Sequence, residues 1–201
     1  MVPKLWPNGL TYARESTAAE MPLCLLQTFL STGNSEDLEK ISWVIEERRV
    51  IPQVQIREIT PLFTIDGQKS HPLCHQKTLR GNTHRGIFAT QEIKMGTQIG
   101  EYVGEIYLVN DESSLRDLFA RVPNSSYAWV IKKDHLFLII DAQNIANETA
   151  LINDFQGIGP APNVRIRPLI HKGTLHFGYV AVCDIPKGKE LLAGYGKHFT
   201  L

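Results

Sequence analysis

The chain has 201 residues, enough for one domain, and 43% of them are hydrophobic, which allows a real core. Lysine plus arginine and aspartate plus glutamate total 21 each, so the net charge is zero. A neutral chain is a poor candidate for coating nucleic acid or an anionic membrane through bulk charge. No apolar run reaches the roughly 20 residues of a membrane span, and no apolar stretch follows Lys4 to make a secretory signal. We therefore expect a soluble, cytoplasmic protein without a direct nucleic-acid or membrane partner.

The three cysteines, Cys24, Cys74 and Cys183, are odd in number and far apart. They form neither a disulfide framework nor the paired Cys-x-x-Cys pattern of a zinc site. The stretch HPLCH places His71, Cys74 and His75 close together, but it has no second ligand pair at matching spacing. We expect this stretch to be an ordinary loop and the chain to hold no metal.

Residues 1–50 have helical periodicity. Apolar residues recur at helix-like spacing over 16–31 and again over about 35–49. Gly33 fits a stop signal between the two helices, and Asn34 fits a cap for the second. We expect an N-terminal helical extension whose apolar faces pack on the main domain. A dimer surface or a substrate surface is the alternative hypothesis for this extension.

From Pro52 onward the hydrophobic periodicity changes to two, which is typical of β-strands. The predicted strands are VQIREI, GIFAT, QIGEYVGEIYLV, HLFLIID, NVRIR, HFGYVAV and ELLAGY. One helix is predicted from Asp111 to Ala120, and ANETALIND is typical of a helical turn. Many short strands with little helix indicate compact, irregular β-sheets. The chain is thus expected to comprise the extension 1–50, a connecting segment 51–79 and a β-rich domain 80–201.

Four stretches of the β-rich domain follow one another in a specific order. They are HRGIFATQEIKMGTQIGEYVGEI at 84–106, IIDAQNIANETALIND at 139–154, APNV at 161–164 and IPKGKELLAGYG at 185–196. Together they resemble the SET domain, the fold of the protein lysine methyltransferases that use S-adenosyl-L-methionine (AdoMet). The family pattern includes Gly-x-Gly-(Leu/Ile)-Phe-Ala, Glu-Tyr-x-Gly-Glu, Asn-x-x-Arg-Phe-Ile-Asn-His-Ser, Pro-Asn and Glu-Leu-x-x-x-Tyr. One such motif alone is a weak signal, but four in order at comparable spacing are specific.

The chain departs from the family pattern at several places. His84 stands where the family has its first glycine, and Ala150 and Asp154 stand where it has arginine and histidine. The loop from Asn153 to Pro162 is several residues longer than usual, and no cysteine-rich zinc segment follows the last motif. These features resemble the small stand-alone SET proteins of bacteria, chlamydial ones among them.

The resemblance implies a mostly β fold with some helix, in which several small β-sheets form a β-clip-like SET domain with a C-terminal pseudoknot. It also implies AdoMet as the cofactor. By the resemblance, the main chain at Asn153 and Asp154 holds the adenine, and the turn at 85–88 cradles the methionine end, where Gly86 lets the backbone approach the ligand. The implied cofactor-binding residues are Arg85, Gly86, Ile87, Phe88, Tyr102, Asn147, Asn153, Asp154 and Tyr195.

Two of these residues have a structural alternative. Tyr102 is either near the cofactor or simply a core tyrosine in an alternating strand, and the resemblance favours the site. Asn147 either bonds the cofactor or only braces the pseudoknot, and both roles stay open.

Tyr195 and Tyr127 are the catalytic residues that the resemblance implies. The hydroxyl of Tyr195 would orient the substrate amine and help to hold the methyl group in line, while Tyr127 lines the lysine channel. A lysine has to lose its proton before the transfer, and its free pKa is about 10.4. A narrow, dry, aromatic channel lowers that pKa because it disfavours the charged form.

The predicted function is an AdoMet-dependent protein-lysine N-methyltransferase that acts on the basic tails of histones or histone-like proteins. The alternative is a SET-fold protein-binding scaffold in which Asp154, Ala150 and the long loop have impaired catalysis. The intact ELLAGYG with Tyr195 favours the enzyme. A homodimer and export as an effector that acts in a host nucleus are further alternatives. The target lysine and the number of methyl groups added do not follow from the sequence.

Overall fold

The structure is a computed structural model that describes residues 2–3, 5–14, 17–18, 43–44, 50–61, 64–65, 69–76, 83–121, 127–133, 135–171 and 174–195. Its strands are β1 Thr11–Tyr12, β2 Thr17–Ala18, β3 Trp43–Val44, β4 Val54–Glu58, β5 Thr64–Ile65, β6 Lys69–Ser70, β7 Arg85–Ala89, β8 Gln98–Glu101, β9 Glu105–Val109, β10 Ala128–Lys133, β11 Leu136–Asp141, β12 Ile145–Ala146, β13 Asn153–Asp154, β14 Val164–His171, β15 Thr174–Ala181 and β16 Leu192–Ala193. The helices are α1 Glu112–Arg121 and the 3₁₀ helices Pro72–His75 and Glu148–Leu151.

The strands form sheets of only two or four members. One four-stranded sheet has the order β10-β11-β9-β2 and the other the order β3-β14-β15-β8, while β4 pairs with β7 and β13 with β16. This arrangement confirms the prediction of a mostly β protein with several small sheets. The helix after β9 and the helical turn in ANETALIND are also confirmed. Within the described residues, no helix is long and apolar enough to cross a membrane.

The core lies between these small sheets. All six residues of β11 are buried, and this strand pairs with β10 on one side and with β9 on the other. The apolar residues of β11 share one hydrophobic core cluster with aliphatic side chains from other parts of the chain, among them Ile87, Ile99, Ile152, Val164 and Leu191. Residues that neighbour the predicted site along the chain are thus anchored in the common core.

The predicted strand QIGEYVGEIYLV is two strands, because the chain changes sheets in its middle. β8 pairs with β15, whereas β9 pairs with β11. Between them, the amide of Tyr102 donates to the carbonyl of Phe177 at 2.8 Å. A Cβ at Gly104 would lie 2.4 Å from the carbonyl oxygen of Asp141, so the crossing depends on a close backbone approach that glycine permits.

The N-terminal helices predicted over 16–31 and about 35–49 fall mostly outside the described residues. Within these ranges, β2 pairs in parallel with β9 and β3 pairs in parallel with β14, so the helix prediction is wrong at those four residues. The edges of sheets built from distant residues supply the backbone partners here, and helical periodicity carries no information about them. The division of the chain at residues 50 and 80 stays a prediction.

The C-terminal segment 190–195 is bonded on two sides. β16 pairs in parallel with β13, and the amide of Phe155 donates to the carbonyl of Ala193 at 2.8 Å. On the other side, the Asn163 side chain accepts from the amide of Leu192 at 2.7 Å and donates to the carbonyl of Glu190 at 2.8 Å. This bracketing fits the implied pseudoknot, and it leaves only two residues of ELLAGY in a regular strand.

Candidate active site

The predicted cofactor residues come together through the C-terminal segment. The amide of Leu191 donates to the carbonyl of Ile87 at 2.8 Å, and Phe88 forms an antiparallel bridge with Glu190. Two residues further on, the same segment pairs with β13, the strand that contains Asn153. Strand β7 and strand β13 are therefore neighbours of one segment, although more than sixty residues separate them in the sequence.

The side chain of Asn153 connects these two strands directly. Its amide donates to the carbonyl of Arg85 at 3.0 Å and to Oε1 of Glu190 at 2.8 Å. One side-chain amide group has two hydrogens, and both have an acceptor here. Asn153 thus fixes the first residue of β7 relative to strand β13.

Gly86 lies against these side chains. A Cβ at this position would be 2.4 Å from Oε1 of Glu190 and 3.1 Å from the side-chain nitrogen of Asn153. The absence of a Cβ at Gly86 therefore makes room for the side chains of Glu190 and Asn153. The approach of a ligand to its main chain stays a prediction.

The other three residues at the start of β7 offer a ligand mainly their main chain. Ile87 and Phe88 are buried side chains of the core. The guanidinium of Arg85 pairs with Glu58 at 3.0 Å, and it also donates to the carbonyl of Thr83 at 3.3 Å.

Tyr195 follows the paired strands directly. Its hydroxyl donates to the carbonyl of Ile152, and its amide donates to Oδ1 of Asp154 at 3.1 Å. Although 36% of the residue surface is exposed, burial of the hydroxyl raises its pKa well above the ordinary value of 10.0, with a smaller contribution from neighbouring tyrosines and carboxylates. The phenol therefore stays protonated at physiological pH, and it acts as a hydrogen-bonding group rather than as a base.

Tyr195 belongs to a cluster of four tyrosines. The hydroxyl of Tyr102 donates to the carbonyl of Tyr127 at 2.6 Å, and its ring meets that of Tyr179 edge-on with centroids 6.0 Å apart. Both Tyr127 and Tyr179 interact electrostatically with the hydroxyl of Tyr195. Burial is the main cause of the raised pKa values of Tyr102 and Tyr179. Tyr102 and Tyr179 are buried and Tyr127 is partly buried, so the cluster is an aromatic environment that opens to solvent at Tyr195.

Tyr179 is a member of this cluster that sequence reasoning missed. It lies in HFGYVAV, where strict alternation places it on the same strand face as the buried Phe177 and Ala181. That alternation predicts a core residue and nothing more. Only its proximity to Tyr102 and Tyr195 connects it to the site.

The polar atoms of Asn147 bond to the protein itself. Its side-chain oxygen accepts from the amide and the hydroxyl of Thr149, and its nitrogen donates to the carbonyl of Glu101 at 2.8 Å. This residue is the N-cap of the 3₁₀ helix Glu148–Leu151. Of the two roles left open by the sequence, these contacts support the brace.

Asp154 has one oxygen bonded and one without a partner. Oδ1 accepts from the amide of Tyr195, whereas Oδ2 is buried and has no hydrogen-bond donor among the described residues. A buried carboxylate oxygen without a donor is unfavourable. A ligand that brings a donor group or a positive charge next to this oxygen would relieve that cost, and AdoMet carries both.

The stretch HPLCH, predicted to be an ordinary loop, contains the 3₁₀ helix Pro72–His75, and its N-cap His71 is buried in the protein. Nε2 of His71 lies 2.9 Å from Oε2 of Glu190, and both side chains are buried. Among the described residues, no group of three or more histidine, cysteine, aspartate or glutamate side chains could hold a metal ion. The sequence did not predict this contact, because the two residues are 119 positions apart.

A cavity of about 420 Å³ lies beside the site. It is formed by the loop at 158–161 and the turn at 183–189, and it shares Phe88 and Glu190 with the site. Tyr195 and Asp154 do not line it. The cavity therefore adjoins the site at Phe88 and Glu190 but does not reach Tyr195 or Asp154.

Comparisons with known proteins agree with the sequence motifs. The chain is 32% identical over 114 residues to the mouse (Mus musculus) protein histone-lysine N-methyltransferase NSD3, covering 55% of this chain and 7% of that protein. It is 28% identical over 115 residues to the Danio rerio protein N-lysine methyltransferase KMT5A-A, covering 56% of this chain and 32% of that protein. The chain thus spans less than a third of the length of these relatives.

A solved structure of Polycomb Repressive Complex 2 from Chaetomium thermophilum matches at 23% identity, with a TM-score of 0.44, over 62% of this chain and 15% of that chain. A TM-score of this size carries no functional conclusion. The SET domain family matches residues 84–196, which is more than half of the chain and includes every residue predicted for the site. The protein belongs to the SET-domain family.

Proposed function

We propose that this chain is an AdoMet-dependent protein-lysine N-methyltransferase. The observation that carries the proposal is the position of the Tyr195 hydroxyl. This hydroxyl donates to the carbonyl of Ile152, the residue before Asn153, and it belongs to the tyrosine cluster. A scaffold that had lost catalysis would have no need for a buried phenol fixed in this way.

The residues next to Tyr195 fit the cofactor. The main chain at Asn153 and Asp154 would hold the adenine, and the main chain at 85–86 would hold the methionine end. The unpartnered oxygen of Asp154 suits a ligand that is positively charged. When bound, AdoMet supplies an electrophilic methyl group.

The protein's own contribution is positioning and exclusion of water. The tyrosine cluster surrounds the entering lysine with apolar rings, which favours the neutral amine over the ammonium. The hydroxyl of Tyr195 has lone pairs left after its bond to Ile152, so it can accept a hydrogen bond from that amine. A nucleophile that is held in line with its electrophile reacts far faster than a free one.

The names of the relatives support a protein lysine as the methyl acceptor, and a histone lysine in one of them. We infer that the substrate is a basic protein tail, histone or histone-like. We also infer a soluble enzyme that meets this substrate in the cytoplasm or, after export, in a host nucleus.

Titration calorimetry with AdoMet tests the proposal without a choice of substrate. We expect wild type to bind AdoMet and Asn153→Ala to bind it more weakly, because alanine makes no hydrogen bond to the carbonyl of Arg85 or to the carboxylate of Glu190. Methyl transfer to histones and histone-like proteins would follow, with Tyr195→Phe as the inactive variant. No binding of millimolar AdoMet, even with a histone-tail peptide present, would overturn the enzyme in favour of the scaffold.

A further inference from the structure

His71 makes a fully buried polar contact between the family-matched region and the residues before it. Its side chain is fully buried, with 0% exposure, and its Nε2 lies 2.9 Å from Oε2 of Glu190. The residue precedes residues 84–196, which match the SET domain family. The contact thus reaches the C-terminal segment from a part of the chain that the family motifs do not include.

The second ring nitrogen determines the tautomer of His71. Nδ1 accepts a hydrogen bond from the amide of Leu73 at 3.2 Å, where His71 is the N-cap of the 3₁₀ helix Pro72–His75. A nitrogen that accepts has no hydrogen of its own, so Nε2 carries the hydrogen and donates it to Glu190. This assignment follows from the hydrogen-bond network. Both nitrogens of His71 therefore have a defined role.

Glu190 connects His71 to the predicted cofactor residues, because its two oxygens bond to different partners. While Oε2 accepts from His71, Oε1 accepts from the side chain of Asn153 at 2.8 Å. Asn153 in turn donates to the carbonyl of Arg85 at 3.0 Å. Oε1 also occupies the space beside Gly86, where a Cβ would be 2.4 Å away. A continuous chain of hydrogen bonds thus runs from His71 to the first residues of β7.

We propose that His71 is a positioning residue for cofactor binding and acts through Glu190 on Asn153 and the main chain at 85–86. This inference rests on the proposed function. Glu190 is buried, so removal of the donor from His71 takes away a charge-assisted hydrogen bond of its carboxylate. The carboxylate would then turn towards another donor or towards solvent, and Asn153 would lose the acceptor that orients its amide. His71 itself does not contact the cofactor.

Two substitutions of His71 distinguish the roles of its two ring nitrogens. His71→Gln places an amide nitrogen near the position of Nε2, so it keeps a donor for Glu190. His71→Asn places an amide oxygen near the position of Nδ1, so it keeps the cap of Leu73 but does not reach Glu190. Cys74→Ala is the matched control, because Cys74 is a buried residue of the same 3₁₀ helix and has no part in the hydrogen-bond chain.

The experiment is titration of each variant with AdoMet by calorimetry, together with its thermal unfolding. We expect His71→Asn to weaken the Kd at least about tenfold, the effect of losing one hydrogen bond to a carboxylate, and His71→Gln to stay within about threefold of wild type. Cys74→Ala should lower the Tm without changing the Kd. Equal binding by the two His71 variants, or an equal loss in Cys74→Ala, would overturn the positioning role.

Glu190→Gln covers the case in which His71→Asn does not fold. His71 and Asn153 donate to the two different oxygens of Glu190, so the NH2 group of a glutamine would face one of these donors, and we expect a Kd at least about tenfold weaker. Wild-type affinity in this variant would contradict the inference. If wild type itself does not bind AdoMet, the proposed function fails, whereas binding by wild type and equally by every variant removes only the role of His71.

Discussion

The hydroxyl of Tyr195 donates its hydrogen bond to the main-chain carbonyl of Ile152, one residue before Asn153. The same tyrosine is tied by its amide to the carboxylate of Asp154. The main chain and the side chain of Tyr195 are therefore both fixed to the short segment 152–154. Any movement of this segment would displace the phenol, so the predicted adenine-binding residues and the predicted catalytic group form a single unit.

Tyr195→Phe should abolish methyl transfer while leaving cofactor binding nearly intact. The variant removes only the hydroxyl, so we expect the transfer rate to fall at least about 100-fold, the scale of a lost positioning contact. Single-turnover transfer and AdoMet titration measure the two effects separately. Tyr12→Phe is the control, because it removes a hydroxyl bonded to Glu148 at 3.1 Å, away from the tyrosine cluster. Equal rates in both variants would contradict the role of Tyr195.

The buried tyrosines should make the protein sensitive to alkaline pH. The pKa values of Tyr102, Tyr179 and Tyr195 are raised in the folded protein, mainly by burial. Their contribution to stability is fully present below the ordinary pKa of about 10 and is lost above it, because the unfolded chain then releases protons that the folded chain retains. We expect the free energy of unfolding to fall from about pH 10 upward.

Ultraviolet absorbance of phenolate measures the ionisation of the tyrosines as the pH rises. These three tyrosines should ionise only when the protein unfolds, and Tyr179→Phe should make the loss of stability with pH less steep. Ionisation of all six tyrosines near the ordinary pKa, without unfolding, would show that the cluster is not dry.

Asp154 should respond differently to two substitutions. Asp154→Asn keeps an oxygen for the amide of Tyr195 and removes the charge of the unpartnered oxygen, so stability should be equal or higher. Its affinity for AdoMet should fall more than its affinity for the neutral product, S-adenosylhomocysteine, because only AdoMet has a sulfonium charge. Asp154→Ala also releases Tyr195, and it should lower the transfer rate as well. An equal loss of affinity for AdoMet and for S-adenosylhomocysteine in Asp154→Asn would exclude the charge effect.

Gly86→Ala should destabilise the protein through an internal clash. The new methyl group would lie 2.4 Å from Oε1 of Glu190, so Glu190 and Asn153 would have to move. We expect a loss of about 1–3 kcal/mol in the free energy of unfolding, typical of overpacking, together with weaker AdoMet binding. Gly194→Ala is the stability control, because its Cβ would meet the protein only at the ordinary distance of 3.8 Å. Urea unfolding of both variants gives the comparison.

Asn163→Ala should loosen the C-terminal segment. The substitution removes an acceptor from the amide of Leu192 and a donor from the carbonyl of Glu190. A loss of about 1–3 kcal/mol is expected because two main-chain groups lose their partners. Hydrogen exchange at the Leu192 amide should accelerate. Asn144→Ala, which removes an exposed bond to Glu105, should change stability by less than about 0.5 kcal/mol.

The sequence motifs and the structure agree on which segments meet. The order of the four motifs implied that the stretches around Gly86, Asn153 and Tyr195 lie together, and the pairing of 190–193 with β7 and β13 brings them together. The periodicity of two also placed most strands correctly. It did not predict that QIGEYVGEIYLV divides at Tyr102–Gly104, because a strand that changes sheets keeps the same alternation.

The sequence by itself was enough to identify the family, because four motifs follow one another in the order and at the spacing that resemble the SET domain, which matches residues 84–196. The site residues were predicted from that resemblance, position by position. The tertiary structure alone decided the partners of those residues. It pairs His71 with Glu190 across 119 positions and Asn147 with the main chain of Glu101, and among the described residues one oxygen of Asp154 has no donor. Such pairings depend on which distant side chains the fold brings within about 3 Å, and no local pattern in the sequence carries that information.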